Sequence, residues 1–158
     1  MKTSVKQIAE IAKRNYQMDL FGLHGIRHWE RVRTNGLEVA KRSGAKVEIV
    51  ELFAYLHDCC RLNEGGDPGH GKRAGEFATS LRGSSLHLSD KDFELLYYAC
   101  EFHTSGLTDA DPTVMTCWDA DRLDLGRCGI RPNPNFLCTE FAKRKTTIQL
   151  ALNRSRSS

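Results

Sequence analysis

Apolar residues recur along this chain at intervals of three and four, with polar residues between them, over nearly its whole length. At 3.6 residues per turn, such positions fall on one face of a helix. Val5, Ile8 and Ile11 or Ala12 mark a first helix over 4–14. Trp29, Val32, Gly36 and Ala40 mark a longer one over 25–42, which Gly44 brings to an end. The most apolar stretch, Val-Glu-Ile-Val-Glu-Leu-Phe-Ala-Tyr-Leu, lies in a helix expected over 46–59. A Gly/Pro-rich loop at 63–69 precedes a helix that starts near His70 and turns Ala74, Phe77, Ala78 and Leu81 inward. The next spans 89–103 with Ser89 as its N-cap. Another, 112–126, carries Pro112 in its first turn. Pro132 and Pro134 break the chain before a last helix at about 136–152, followed by a frayed basic tail. No stretch alternates with period two, and there is no internal repeat or long linker. The pattern predicts an all-α protein, a single domain over 1–158 with six or seven helices.

Composition narrows the function classes. The 158 residues are enough for a sizeable core. A net charge of +3 is too mild to point to nucleic acid. No apolar run approaches the ~18 residues of a membrane span, and the N-terminus lacks a signal-peptide core, so a soluble, cytoplasmic protein is expected. The six cysteines show no Cys-x-x-Cys spacing, which argues against a zinc ribbon or a disulfide scaffold. The sequence specifies no oligomeric state.

Candidate chemistry begins with the doublet His57-Asp58, which closes the most apolar helix. Consecutive helical positions differ by about 100°, so the two side chains can flank one ion. His28 shares a face with Val32 and Val39, His70 opens the helix of Ala74 and Phe77, His103 continues the line Leu96, Ala99, Cys100, and Asp121 lies among Trp118 and Leu125. A lone histidine on an apolar face is more often a hydrogen-bonded core residue than a ligand. The set is harder to explain that way. Burying Asp58 and Asp121 unpaired is costly, and neutral imidazoles supply no compensating charge. A divalent cation answers both problems. Mixed imidazole and carboxylate suits Mn, Fe, Co, Ni or Zn better than an all-oxygen Ca or Mg cage.

Three segments carry a family resemblance. His-Trp-Glu-Arg-Val (28–32) resembles the opening His-x-x-Arg-Val segment of the HD-domain superfamily. Leu56-His57-Asp58 resembles its name-giving doublet, and Asp-Ala-Asp-Arg-Leu-Asp (119–124) its closing Ala-Asp-Arg-Leu segment. The similarity spans residues 20–126. It implies an HD-domain-like helical bundle and a metal-dependent phosphohydrolase, acting on a small phosphorylated compound or nucleotide through metal-activated water. It assigns a first ion to His28, His57, Asp58 and Asp121. A second ion would fall between a bridging Asp58 and the histidines His70 and His103. Asp58, His70 and His103 are then expected to serve catalysis, with Arg61 and Arg73 as the cations nearest the ligands. Cys-Cys-Arg after Asp58 departs from the common family continuation.

Neighbouring residues admit two roles each. Lys72, Arg31, Arg122 and Arg127 are either phosphate-facing or structural cations. His24 either orients His28 or contacts substrate, or is an exposed residue at a helix start. Asp124 either supports the ligands or pairs with Arg122 or Arg127. Asp119 is expected to be exposed or capping, and His87 to lie at the surface. Cys59 and Cys60 are small core residues, or a thiol pair with ligand or redox chemistry. Two rivals to the hydrolase remain: a diiron HD-like oxygenase, and a non-catalytic nucleotide-binding sensor.

Overall fold

The computed structural model describes residues 1–157. Among them it forms seven α-helices and no strands: α1 (Val5–Asn15), α2 (Ile26–Ser43), α3 (Val47–Leu56), α4 (His70–Ser80), α5 (Asp90–Phe102), α6 (Pro112–Arg122) and α7 (Lys145–Arg156). Short 3-10 turns occupy Leu123–Cys128 and Pro134–Phe136.

The centre of the bundle is α3. Ile49, Val50, Leu52, Phe53, Ala54, Tyr55 and Leu56 are all buried, so this helix is apolar on nearly every side and must be covered on every side. Helices α1, α2, α5 and α6 provide that cover, with Trp29 and Trp118 the largest side chains in the shared core. The first and fifth helices begin as capped helices should: Ser4 accepts from the Gln7 amide and Ser89 from the Asp92 amide.

Two glycines set how closely the helices approach. A Cβ on Gly36 would lie 2.4 Å from Val50 Cγ1 and 3.3 Å from Ala120 Cβ, so α2 meets α3 and α6 at that point. Next to it in the chain, Asn35 donates to the Ala120 carbonyl at 3.1 Å and accepts from Arg154, which ties α2 to α6 and α7. A Cβ on Gly71 would lie 2.4 Å from the Cys100 carbonyl oxygen, and backbone, unlike a side chain, cannot swing away. The start of α4 therefore rests directly on the end of α5.

The helix boundaries depart from the sequence expectation in three places. Helix α3 stops at Leu56 and residues 57–60 form turns, so His57 and Asp58 sit just past the helix. Helix α6 stops at Arg122 and tightens into the 3-10 turn, where a helix to 126 was expected. The last helix begins at Lys145, nine residues later than the expected 136, and runs through Arg156 where a frayed tail was expected. Asp119 anchors the segment that precedes this helix. It is fully buried and accepts from the amides of Cys138 (2.6 Å) and Thr139 (2.9 Å) and from the Thr139 hydroxyl (2.7 Å). Held in that way, residues 137–144 pack Leu137 and Ala142 into a second apolar cluster with Val39, Leu123, Ile148, Ala151 and Leu152.

Gly36→Val should destabilise the protein by about 1–3 kcal/mol through overpacking. In urea unfolding, its effect should couple to that of Val50→Ala; strictly additive effects would contradict the contact.

Candidate metal centre

His28 lies in the first turn of α2, and Trp29 beside it anchors the entry to that helix by donating its indole N–H to the His24 carbonyl at 2.7 Å. His57 and Asp58 leave the end of α3. His70 opens α4, His103 follows the end of α5, and Asp121 sits in the last turn of α6. All six expected ligands come together at one place, although they arise from five different helices or their ends.

Their reactive atoms fall into two sets that share Asp58. In the first, Asp58 Oδ2 is 3.3 Å from His28 Nε2 and 3.4 Å from His57 Nε2. Asp121 Oδ1 is 3.2 and 3.4 Å from the same nitrogens, which are themselves 3.1 Å apart. In the second, Asp58 Oδ1 is 3.1 Å from His70 Nε2 and 3.4 Å from His103 Nε2, with those nitrogens 2.9 Å apart. His57 also joins Asp58 and His103 in a group whose ligand atoms lie within 4.8 Å of one another. The two carboxylate oxygens of Asp58 therefore point into different sets.

The other ring nitrogen of each histidine decides what the sets can hold. His28 Nδ1 lies 2.7 Å from the Asp124 carboxylate. His57 Nδ1 is 3.1 Å from the carbonyls of Phe53 and Ala54, His70 Nδ1 2.5 Å from that of Asp67, and His103 Nδ1 2.6 Å from that of Cys100. Carbonyl and carboxylate oxygens only accept, so all four Nδ1 atoms carry the proton and donate it. In the neutral ring every Nε2 is then a bare lone pair facing other lone pairs and carboxylate oxygens. Buried acceptors turned on one another need a cation or shared protons. Ligands held about 2.1 Å from an ion lie roughly 3.0 Å apart at adjacent octahedral corners and roughly 3.4 Å apart at tetrahedral ones. The observed separations fit a divalent ion in either set.

A solved structure of similar shape bears on the fold that carries this arrangement. The 1.45 Å crystal structure of a predicted HD superfamily hydrolase from an uncultured Thermotogales bacterium superposes with a TM-score of 0.74, covering 96% of this chain and 86% of that one at 22% sequence identity. The chain has an HD-type fold. No protein-family model and no curated protein matches the sequence. The structural likeness thus extends over nearly the whole chain at low sequence identity.

Within this HD-type fold the three acids of the closing segment do three different things. Asp119 and Asp121 differ by about 200° around the helix, which sends Asp119 away from the centre to the 138–139 backbone. Neither exposed nor at a helix terminus, Asp119 holds a loop, and burial pushes its carboxyl pKa up against the hydrogen bonds it accepts. Asp121 and Asp124 share a side. Asp124 is fully buried, receives the His28 Nδ1 proton and accepts from Arg31 Nε at 2.7 Å, with Arg127 at 3.9 Å. It therefore orients His28 as well as pairing with cations.

Among the expected cations, Arg61 is buried beside the centre. Its Nε is 3.7 Å from Asp58 Oδ1 and its Nη1 donates to the carbonyls of Asn63 and Gly65. Arg73 instead braces the loop before α4, 2.7 Å from both Asp67 carboxylate oxygens and bonded to the Cys60 carbonyl. Arg122 bonds the Phe136 carbonyl, and Lys72 is exposed. His24 is buried and contacts Glu64 at 3.1 Å, contrary to an exposed helix-start position. His87 is half-buried and its backbone N–H and C=O both bond the Thr3 hydroxyl, so it is tied down more than a surface loop residue. Asp67 was not singled out in the sequence, yet it orients His70 through its carbonyl and Arg73 through its carboxylate. Its place three residues before His70, in Asp-Pro-Gly-His, was the available signal.

The charge balance is visible in the acid–base properties. Burial would raise the pKa of Asp58, but His57, His103, His28 and His70 hold it well below the usual carboxylate range. Asp121 behaves likewise, with His28 and His57 outweighing burial. For His28, burial and the charge of Arg127 oppose protonation, and hydrogen bonds to Asp121, Asp124 and Asp58 overcome both, raising its pKa from 6.5 to about 10. A raised histidine stabilises the fold fully below its unfolded pKa and loses that contribution as pH rises through its folded value. Chelator-treated protein should therefore lose thermal stability between about pH 6.5 and 10, and added metal should remove that loss. A flat stability profile across that range would contradict the assignment.

Proposed function

We propose that this protein is a metal-dependent phosphohydrolase acting on a small phosphorylated compound or nucleotide. The observation that carries the proposal is the set of four Nε2 lone pairs, each fixed by a donated Nδ1 proton, converging on the two oxygens of Asp58. The likeness to a structure described as a predicted HD superfamily hydrolase supports the same reading. His28, His57, Asp58 and Asp121 would hold one divalent transition ion, and Asp58, His70 and His103 a second. Zn, Mn, Fe, Co and Ni all accept such nitrogen and oxygen donors. A divalent ion there supplies a water of lowered pKa and polarises a phosphoryl oxygen.

The chain's own residues do the rest. Asp124 fixes the His28 ring, with Arg31 holding Asp124 in turn; such supporting contacts commonly govern affinity for the ion. Phe53 stacks on His57 at a centroid distance of 4.8 Å and limits its rotation. The Asp121 side chain is 15% exposed while the other five ligands are 3% or less, so substrate reaches the centre from the Asp121 side. Arg61 places a permanent positive charge beside Asp58, where it offsets charge on a phosphoryl group.

Elemental analysis of the unsupplemented protein, followed by a phosphatase and nucleotidase panel with several divalent metals, tests the proposal. Phosphate release that requires Mn, Co, Ni or Zn is expected. Two bound irons with oxygen uptake and no phosphate release would move the assignment to oxygenase chemistry on the same ligands.

Asp58→Ala should abolish both metal retention and turnover, because it removes the carboxylate both ligand sets share. Survival of either would refute the central role of Asp58. His103→Ala should leave about one ion per chain by elemental analysis. Gly71→Ala should do the same without replacing a ligand, since its new Cβ would lie 2.4 Å from the Cys100 carbonyl oxygen and 3.2 Å from His103 Nδ1, forcing the start of α4 and the end of α5 apart. An unchanged ion count in both variants would place His70 and His103 outside metal binding.

A further inference from the structure

The proposed hydrolase centre leaves Cys59 and Cys60 without a role. Their sulfurs are in contact, 3.7 Å apart, and they follow Asp58 directly in the chain. Cys59 is buried at 1% exposure, whereas Cys60 is half-buried, and both line a cavity of about 200 Å³ with Asn15, Arg61, Arg73 and Phe77. Polar groups hold this pair in place. The Asn15 side-chain amide donates to Cys60 Sγ at 3.5 Å and to the Cys59 carbonyl at 3.2 Å. The Arg73 guanidinium donates twice to the Cys60 carbonyl, at 3.2 Å each. The more exposed thiol, Cys60, thus has a donor aimed at its sulfur, and the buried Cys59 thiol stands within reach of it.

We propose that Cys59 and Cys60 form an oxidation site for hydroperoxides, with Cys60 the attacked thiol and Cys59 the thiol that resolves it. Cys60 Sγ attacks the terminal oxygen of a hydroperoxide, the O–O bond breaks, an alcohol or water leaves with the thiol proton, and Cys60 becomes a sulfenic acid. Cys59 Sγ then attacks the Cys60 sulfur. The S–S bond forms, the S–O bond breaks, and the hydroxyl departs as water with the Cys59 proton. Two thiols and one hydroperoxide thus give one disulfide, one alcohol or water, and one water. Adjacent Cα atoms lie about 3.8 Å apart, below the roughly 4.4–6.8 Å of ordinary disulfides, so the bridge is strained and readily reversed by a reducing thiol. The reaction needs no metal and stands whether or not the centre beside it is hydrolytic.

The test treats the purified, reduced full-length protein with one equivalent of hydrogen peroxide, alkylates the remaining thiols and digests with trypsin. Cleavage after Lys46 and Arg61 leaves both cysteines in one peptide, 47–61. That peptide should be two hydrogens lighter and unalkylated, the other four cysteines should remain free, and dithiothreitol should restore it. In Cys59→Ser the sulfenic acid at Cys60 should persist and be trapped by dimedone, while in Cys60→Ser residue 59 should not react. Oxidation of the exposed Cys128 or of Cys138 ahead of peptide 47–61 would overturn the proposal. So would a Cys59→Ser protein whose Cys60 yields no dimedone adduct.

Discussion

Asp58 carries a carboxylate that is 3% exposed, and the centre of the molecule is organised around that charge. One oxygen faces His28 and His57, the other His70 and His103, and Arg61 lies at the edge. An isolated buried carboxylate would cost several kcal/mol and would shed its charge by taking a proton. Here five basic side chains oppose that outcome. While buried, the carboxylate can stay charged only because the packed helices deliver those side chains to it.

The fold and the site therefore share the same contacts. Gly36 brings α2, α3 and α6 close enough for the first ligand set, and Gly71 lets α4 rest on α5 for the second. Each histidine also leans on the backbone or a carboxylate behind it, so the ring orientations belong to the scaffold before any ion arrives. Such preorganisation suits phosphoryl transfer, which depends mainly on positioning and charge compensation. The sulfur pair at 59–60 sits on the turn that carries Asp58, so any chemistry there acts on the backbone beside the shared ligand.

The helices were legible because each one buries a face, and the face leaves a local period in the residue order. The residues that gather at the centre were legible for a similar reason: His28, His57, His70, His103 and Asp121 are polar exceptions on apolar faces. The misplaced boundaries have a different origin. Residues 136–144 follow a helical pattern, yet they form turns anchored at Cys138 and Thr139 by Asp119, about twenty positions earlier. The same distant contact explains why Asp119 read as exposed or capping. Arg73 read as a site cation for lack of any sequence sign that Asp67 would hold it.

From residue order alone come the all-helical architecture, the identity of the ligand-type side chains and their succession along the chain, because periodicity and residue chemistry are local properties. The tertiary structure alone decides that Asp58 stands between two sets of histidines, that Asp124 turns His28 from 96 residues away, and that Asp119 leaves the centre to hold a loop. Those outcomes depend on how closely helices approach and on which distant partner claims each donor and acceptor. Neither quantity is written in any one segment.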